Sequence, residues 1–249
     1  MIRFKIIEKK LKDYLVSNHF LSKLYSIYKI IKDNKKKTAY AVFGEDIILD
    51  VLFKNNKKGF YIDVGCYHPI KGSLTKKLYD RGWSGINIDL SSATINLFKT
   101  SRKRDININC AISNIESEGY YSEVSHINQA NSLLDFENTK KIKVQIKSLN
   151  TIIKEHDVQK IDYLNIDAEG YDFETIEGLN LDNIRPSLIT IEDGNNFMLE
   201  NIFDTKINNY LYKKNYFLFT RNICTSFYVD EKLRSKFPDI LDIRKKIAL

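Results

Sequence analysis

The sequence predicts an α/β fold built around a doubly wound, mostly parallel sheet. The first observation is that, from residue 40 onward, short apolar runs alternate with amphipathic stretches, the pattern of a parallel sheet covered by helices on both faces. The second is that several apolar runs end in an acidic residue next to a turn. Ligands in such sheets bind beyond the carboxyl ends of the strands, so we expect the functional residues there.

The strands are predicted from short apolar runs that are bounded by turn residues. In chain order they are 60–64, 85–90, 108–113, 161–167 and 187–193, followed by a closing antiparallel pair at 216–220 and 225–230. The helices are predicted from apolar residues at helical spacing and from glycines that stop a helix, such as Gly82 and Gly178. They cover 71–82, 92–102, 148–157, 173–179 and 198–215. Residues 119–147 are predicted to be irregular, with one strand at 141–147.

Residues 1–39 are predicted to form a basic helical extension, separate from the domain at 40–249. In residues 1–37, apolar side chains recur at about helical spacing with lysines between them, and the segment ends in the polar run DNKKK. A basic amphipathic helix of this kind can lie on an anionic membrane as a peripheral contact. The same pattern fits a helix that covers its own domain or builds a homo-oligomer, and the sequence leaves these alternatives open.

The chain is basic, with 39 Lys and Arg against 32 Asp and Glu and a formal net charge of +7. This favours anionic partners such as nucleotides, phosphosugars or acidic lipids, although a lysine-rich solvated surface gives the same balance. The three cysteines are far apart and form no CxxC pair, which is typical of a reducing compartment. With no run of 18 apolar residues, the sequence predicts no transmembrane helix. We expect a cytoplasmic protein, with the inner face of the membrane as a further location.

The first strand ends near Asp63 and is followed by the turn residue Gly65. Glycine allows a sharp turn and the close approach of a ligand to the backbone. A dinucleotide-binding loop would need two further glycines, but Gly65 is followed by Cys66 and then by Tyr, His and Pro. The loop therefore favours an adenosine cofactor without phosphates, such as S-adenosylmethionine, whose cationic groups suit a nearby acid.

Asp89 lies at the end of the second strand, 24 residues after Gly65. An acid at this point commonly accepts hydrogen bonds from the ribose hydroxyls of an adenosine. An acid there could instead stabilise the N-terminus of the following helix. We expect Leu90 to contact the cofactor beside Asp89, and Ala111, near the end of the third strand, to lie where the adenine ring binds.

Asp167 and Glu169 flank Ala168 at the tip of the fourth strand, and Glu192 and Asp193 end the fifth. Neighbouring parallel strands would bring these carboxylates together. Such acids suit a general base, a contact to the amino group of the cofactor, or a hard cation such as Mg²⁺, for which Asp167, Glu192 and Asp193 would be the ligands. Solvated loop acids give the same pattern.

His68 is the histidine placed in the predicted cleft, where it could act as a base or bind an acceptor phosphate. It could equally be a loop residue stacked beside Tyr67 and Pro69. The sequence has no HExxH zinc pattern, no GxSxG elbow and no Walker loop, which excludes the chemistry of those motifs.

Five stretches, taken together, resemble the FkbM family of S-adenosylmethionine-dependent methyltransferases. They are GEDIILDVLF (44–53), FYIDVGCYHP (60–69), LYDRGWSGINIDLS (78–91), RKRDININCAIS (102–113) and IDYLNIDAEGYDFETIEGL (161–179). They occur in the order and at the spacing of the family, and the resemblance covers about residues 43–230. The loop at 66–69 resembles the subgroup of the family with a YHP-type loop.

The resemblance implies a seven-stranded, Rossmann-like class I methyltransferase domain that follows the N-terminal helical extension. It also implies transfer of a methyl group to oxygen, often to a sugar hydroxyl. The predicted cofactor-binding residues are Asp63, Gly65, Cys66, Asp89, Leu90, Ala111 and Asp167. Residues 119–140 would be the variable insertion that faces the acceptor, with Tyr120, Tyr121, His126, Asn131 and Ser132 in it.

We therefore expect an O-methyltransferase with Asp167, Glu169 and His68 as catalytic residues, and Mg²⁺ as a variant of the mechanism. The basic composition favours a nucleotide-linked or phosphorylated sugar as acceptor, in capsule or lipopolysaccharide biosynthesis. A nucleic-acid or other small-molecule methyltransferase is an alternative; against nucleic acid, the fourth strand is followed by DAEG and not by an NPPY-type loop. The other alternative is a catalytically inactive module for assembly or membrane docking.

Overall fold

The fold is known from a computed structural model, and the structure describes residues 39–124, 130–193 and 199–236. Residues Tyr40–Leu249 form one compact unit, and Met1–Ala39 form another. The predicted helix at 1–37 lies outside the described residues. Within the described part of the chain, no helix combines the length and the apolar character that crossing a bilayer requires.

The strands and helices follow one another along the chain in an alternating order. The strands are β1 (Phe60–Val64), β2 (Ser84–Asp89), β3 (Ile106–Asn109), β4 (Ala111–Ile112), β5 (Ser117–Glu123), β6 (Lys140–Lys147), β7 (Tyr163–Ile166), β8 (Leu188–Glu192), β9 (Tyr216–Asn222) and β10 (Thr225–Asp230). The α-helices are α1 (Glu45–Leu52), α2 (Lys76–Asp80), α3 (Ser92–Ser101), α4 (Leu149–Glu155), α5 (Asp172–Glu177) and α6 (Lys206–Lys213). Two 3₁₀-helices cover Leu199–Asp204 and Glu231–Lys236.

Seven strands form the main sheet in the order β3-β2-β1-β7-β8-β10-β9. The neighbours from β3 to β8 are parallel, and β10 is antiparallel to both β8 and β9. The strand order reverses between β1 and β7, which is the switch point where doubly wound sheets bind ligands. The structure confirms the predicted mostly parallel sheet and its antiparallel closing pair.

The central strands are apolar on both sides because both faces of the sheet are covered. Ile62 and Tyr61 are adjacent in β1 and fully buried, yet they belong to different apolar clusters. Side chains alternate between the two faces of a strand, so each cluster fills one face. This burial fixes the register of β1 and therefore the height at which its carboxyl end stops.

A second, three-stranded sheet in the order β4-β6-β5 follows β3. Ala111, Tyr121 and Val144 are buried together in it. The strand predicted at 141–147 is present as part of β6, but β5 was predicted to be irregular. Its sequence SEGYYSE is polar, and only the pairing with β6 makes it a strand.

Two predicted helices are shorter than expected. The first of them begins only at Lys76, because residues 71–75 belong to a loop. The buried Arg102 fixes this loop: its Nη2 donates to the Pro69 carbonyl oxygen (2.9 Å) and to the Ser73 hydroxyl (3.0 Å). The helix predicted at 198–215 is interrupted at Thr205. This residue has an extended backbone and its hydroxyl accepts from the Asn208 N–H (3.1 Å), so it caps α6.

Candidate active site

The first cavity lies at the carboxyl ends of β1, β2 and β7, at the switch point of the main sheet. It encloses about 550 Å³, including its open mouth. Five of the predicted cofactor-binding residues line its wall: Gly65, Asp89, Leu90, Ala111 and Asp167. Residues that are up to about 100 positions apart in the sequence therefore line the same cavity.

The turn after β1 can hold only glycine. Gly65 has a φ of +72°, and a Cβ atom there would lie 1.7 Å from the carbonyl oxygen of Asp167. The N–H groups of Gly65 and Cys66 both donate to the Ile88 carbonyl oxygen, at 2.9 and 3.2 Å. The chain thus turns over the end of β2 and leaves the Gly65 backbone as part of the cavity wall.

Asp89 is held in place by two backbone groups from different segments. Its Oδ2 accepts from the Tyr67 N–H (3.0 Å) and its Oδ1 from the Ser91 N–H (2.8 Å). Burial raises the pKa of this carboxyl to about 6, against the opposing effect of the two hydrogen bonds. The bond from the Ser91 N–H is the contact expected if Asp89 stabilises the start of the following helix. Its position in the cavity wall is the one that a ribose contact requires.

Asp63 and Cys66 lie behind the cavity wall, outside the set of residues that line it. The Asp63 carboxylate is buried, accepting from the Thr75 hydroxyl (2.7 Å) and the Asn165 side-chain amide (2.9 Å). Cys66 is packed against Ile95 and Phe98. Direct cofactor contact was predicted for both residues. In the structure, the hydrogen bonds of Asp63 and the packing of Cys66 stabilise the turn after β1 from behind the cavity wall.

Three carboxylates meet where the first cavity ends. Asp167, Glu169 and Glu192 each offer one oxygen, and these oxygens lie within 4.8 Å of one another. Asp193 was predicted in this group, but it is engaged elsewhere: its Oδ2 lies 4.0 Å from Nη1 of Arg221. Glu169 takes its place because the left-handed backbone of this residue (φ +48°) turns the chain back over the tip of β7.

The crowding of these acids favours their protonated forms. Burial raises the pKa of Asp167 well above its usual range, and the charge and contact of Glu192 add to the effect. Burial also raises the pKa of Glu169 to about 7, with further contributions from Glu192 and Asp172. Asp167 Oδ1 is buried and accepts no hydrogen bond from the described residues. A cationic ligand group bound here would favour the ionised forms of these carboxyls.

His68 does not line the first cavity. Its Nδ1 accepts from the backbone N–H groups of Ile70 (3.1 Å) and Lys71 (3.0 Å), which closes a turn in the loop after β1. Burial and the charge of Lys71 lower the pKa of the imidazole. The structure therefore places His68 as a neutral loop residue beside Tyr67, the second of the two interpretations that the sequence left open.

A second cavity opens next to the first and shares Glu169 with it. Its volume is about 990 Å³, including open solvent. The walls combine acids with aromatic and aliphatic side chains and one lysine: Leu134, Phe136, Glu169, Gly170, Asp172, Phe173, Glu192, Asp193, Lys206 and Ile207. A ligand in this cavity would reach the same carboxylate that faces the first.

The segment 130–136 forms a wall between the two cavities. Asn131 and Leu133 line the first, and Leu134 and Phe136 line the second. The Ser132 hydroxyl donates to the Glu169 carbonyl oxygen (2.6 Å) and so fastens this wall to the tip of β7. Part of the predicted acceptor-facing insertion thus lies beside the site.

The two tyrosines predicted in that insertion, Tyr120 and Tyr121, take different positions. Tyr121 is buried in the second sheet, whereas Tyr120 is 62% exposed and lines a third cavity, which shares Leu133 with the first. His126 lies outside the described residues.

Tyr67 and Asp172 are among the residues of the site that were not predicted. Tyr67 lines the first cavity and donates its N–H to Asp89. Asp172 is buried, and its carboxylate accepts from the N–H groups of Ala168 (2.8 Å) and Gly170 (3.1 Å), which fixes the turn that carries Glu169. No local sequence signal identifies Asp172, because an aspartate in a turn usually accepts from backbone N–H groups that follow it, and here the N–H groups precede it.

The strand order, the glycine turn and the acids at the strand ends define an S-adenosylmethionine-dependent methyltransferase. The model of the Methyltransferase FkbM domain matches residues 63–218, more than half of the chain, and the chain belongs to this family. No curated protein and no solved structure matches the chain.

The first cavity fits S-adenosylmethionine by the chemistry of its wall. Leu90 and Ala111 offer apolar contacts beside Asp89, an acceptor for hydroxyl groups. At the other end, the buried Asp167 Oδ1 accepts no hydrogen bond from the described residues, which suits a cofactor that carries a sulfonium and an ammonium. The Gly65 backbone lies in the wall, so a ligand can approach it without meeting a side chain.

Proposed function

We propose that the enzyme methylates a hydroxyl group of a sugar, and that the acceptor is a nucleotide-linked or phosphorylated sugar used to build a surface polysaccharide such as capsule or lipopolysaccharide. The observation that supports this most is the second cavity, which adjoins the first and shares Glu169 with it. An acceptor in the second cavity would present its hydroxyl to a carboxylate that also faces the cofactor.

Glu169 is the residue best placed to take the proton of the hydroxyl. Its pKa of about 7 is near the value at which a base is effective at neutral pH. S-adenosylmethionine, when bound, supplies the electrophilic methyl group. The residues of the chain align the acceptor oxygen, exclude water and hold the released proton on the Glu169 carboxylate. His68 has no part in this proton transfer because its Nδ1 is engaged in its own loop.

The walls of the second cavity suit a hydroxylated ring. Phe136 is 37% exposed and offers an apolar face, and Glu192 offers carboxylate oxygens to hydroxyl groups. Lys206 is the cation among the described lining residues; its Nζ lies 3.6 Å from the centre of the Phe173 ring. A phosphate on the acceptor would find its counter-charge at Lys206.

A Mg²⁺ ion is the variant of this proposal. Asp167, Glu169 and Glu192 would hold it, since each offers a carboxylate oxygen at the same point and Mg²⁺ prefers such ligands. The ion would lower the pKa of the acceptor hydroxyl. In that case Glu169 would be a ligand and the proton would leave to solvent.

The test is a methyl-transfer screen with a methyl-labelled cofactor against nucleotide sugars, sugar phosphates and nucleic acids, with and without a chelator. The proposal expects label on a sugar oxygen. Label on nucleic acid or on nitrogen would contradict it. Loss of transfer in the chelator, restored by Mg²⁺, would select the metal variant, whereas unchanged transfer would select Glu169 as the base.

A further inference from the structure

The net positive charge of the chain comes from its N-terminal segment. Residues 1–38 contain 11 Lys and Arg but 3 Asp and Glu, a formal net charge of +8, whereas the whole chain carries +7. Residues 39–249 are therefore almost neutral. A basic segment with interspersed apolar residues is attracted to anionic lipid surfaces, and in the chain this segment is followed by the catalytic domain, which begins at Tyr40.

Next to the first residue of the domain lies an exposed apolar patch, which we call the apolar rim. Its residues are between 44 and 62% exposed: Val42, Phe43, Ile47, Ile70 and Ile223. Hydrogen bonds join the three segments that carry them. The Gly72 N–H donates to the Tyr40 carbonyl oxygen (2.8 Å), and the Asn222 side-chain amide donates to the Phe43 carbonyl oxygen (2.8 Å). The three segments that carry the rim are thus neighbours on the surface of the domain.

The apolar rim lies at the same edge of the main sheet as the two cavities. Ile70 belongs to the loop that follows the carboxyl end of β1. Ile223 lies in the turn between β9 and β10, and the next strand begins with Thr225 paired to Glu192 at the carboxyl end of β8. A surface that contacted the rim would therefore also face the mouth of the catalytic site.

Ile223 is an outlier in backbone conformation as well as in exposure. It opens a two-residue hairpin turn with a φ of +53°, a position where glycine or asparagine is favoured and where a β-branched residue is strained. Its side chain is 46% exposed. A strained turn with an apolar tip in water points to a function for that tip.

We propose that the carboxyl edge of the sheet docks on an anionic lipid bilayer through the apolar rim, and that the acceptor is a sugar phosphate carried on a membrane lipid. The nature of the acceptor rests on the proposed function, whereas the docking does not. A lipid surface is favoured over a protein partner because a basic segment that precedes a small apolar patch in the chain is the combination that binds membrane interfaces. A stable protein interface uses about 20–30 residues from each partner, many more than the rim contains.

The first test is sedimentation of the full chain with vesicles of phosphatidylcholine, with and without phosphatidylglycerol. Binding is expected with phosphatidylglycerol. The variant Val42→Ser/Phe43→Ser/Ile223→Ser should bind about tenfold more weakly, since it removes apolar area from the contact. The matched control is Ile106→Ser/Tyr212→Ser, which removes exposed apolar side chains at the opposite edge and should bind like the wild type. Absence of vesicle binding, or equal binding by the rim variant, would overturn the docking.

A second test does not depend on a triple variant that has to fold. Phe43→Trp places a fluorescent indole in the apolar rim. The fully buried Trp83 contributes a constant fluorescence background. The emission of the new indole should shift to the blue on vesicles and be quenched by brominated lipid, whereas Tyr212→Trp should not respond. A blue shift that grows with protein concentration without vesicles, together with a doubled mass, would show a contact between two copies and overturn the proposal.

The acceptor is tested with the same sugar phosphate in two forms, one linked to a lipid in vesicles and one linked to a nucleotide in solution. The proposal expects faster transfer to the lipid-linked form, and the rim variant should lose that advantage while it keeps its affinity for S-adenosylmethionine. Equal rates on both forms would overturn the lipid-linked acceptor but leave the sugar methyltransferase in place. Transfer to neither form would count against the proposed function, and vesicle binding would still report on the docking.

Discussion

The carbonyl oxygen of Asp167 occupies the space where a side chain at Gly65 would begin, 1.7 Å from the position of a Cβ atom. The contact joins the turn after β1 to the tip of β7, the two strands on either side of the switch point. The wall of the first cavity and the chain that carries the carboxylates are therefore packed backbone against backbone, with no room for a side chain between them.

Replacing Gly65 by Ala should abolish cofactor binding. The new methyl group must displace the Asp167 backbone, in addition to the roughly 1–2 kcal/mol that a left-handed conformation costs a non-glycine residue. Calorimetry with S-adenosylmethionine would measure the loss. The control is Gly82→Ala, where φ is also positive but the nearest backbone oxygen is 3.6 Å away. If Gly65→Ala bound the cofactor as well as Gly82→Ala, the described contact would not shape the site.

Glu169→Gln should lower turnover by about 10²–10⁴-fold, the usual contribution of a general base. The base acts in its deprotonated form, so the turnover of the wild type should rise with pH through about 7, the pKa of Glu169, and then level off. The variant should show no such rise and should keep its cofactor affinity. Glu155→Gln, at an exposed surface ion pair, serves as control. A variant whose pH profile matches the wild type would remove Glu169 from the role of base.

Asp89→Asn should make the folding stability less dependent on pH. The pKa of Asp89 in the folded protein is about 6, above its ordinary value of 3.8. The folded state therefore holds a proton that the unfolded chain releases as pH rises from about 4 to about 6, and stability falls over that range. Melting temperatures between pH 4 and pH 7 should fall less steeply in the variant, and cofactor affinity should drop. A slope equal to that of the wild type would show that Asp89 is not protonated in this range.

Arg102→Lys should weaken cofactor binding without any contact between Arg102 and the cofactor. Arg102 is 1% exposed and holds the Pro69 carbonyl oxygen, the Ser73 hydroxyl and the Tyr61 hydroxyl (3.1 Å) at once. Lysine cannot reproduce this forked geometry, so the loop that carries Tyr67 should loosen.

The control for Arg102 is Arg185→Lys, which breaks a two-point ion pair with Asp230 (2.8 and 3.1 Å) far from the loop after β1. Both variants should lose stability, by about 1–3 kcal/mol, in chemical denaturation. Only Arg102→Lys should also raise the dissociation constant of S-adenosylmethionine. If the two variants bound the cofactor equally well, Arg102 would be a stabilising residue and not a positioning one.

The fold could be predicted from the sequence because its main sheet is apolar on both faces. A run such as FYIDV has few alternatives once it is followed by a turn and a helical stretch, and the acids at the strand ends then mark one edge. The second sheet could not be predicted in the same way. The residues of β5 are mostly polar, and they form a strand only because β6 supplies the hydrogen bonds, a long-range effect that local patterns do not contain.

The candidate site was predicted as a set of positions, but not in its bonding. Asp63 and Asp89 look alike in sequence, each an acid at the end of a strand, yet the structure buries Asp63 against Thr75 and Asn165 and places Asp89 in the cavity wall. In the register of β1 and β2, Asp63 lies level with Asn87, so Asp89 lies two residues nearer the carboxyl end of the sheet, and this shift decides which acid faces the cavity. Sequence spacing does not resolve that shift.

The wall formed by residues 130–136 has a consequence for redesign of the enzyme. Because one short stretch borders both cavities, a substitution there that changes one cavity should change the other as well. A graft that changes the acceptor should therefore also change how long S-adenosylmethionine stays bound. Successful grafts would then need a compensating substitution on the opposite side of this wall.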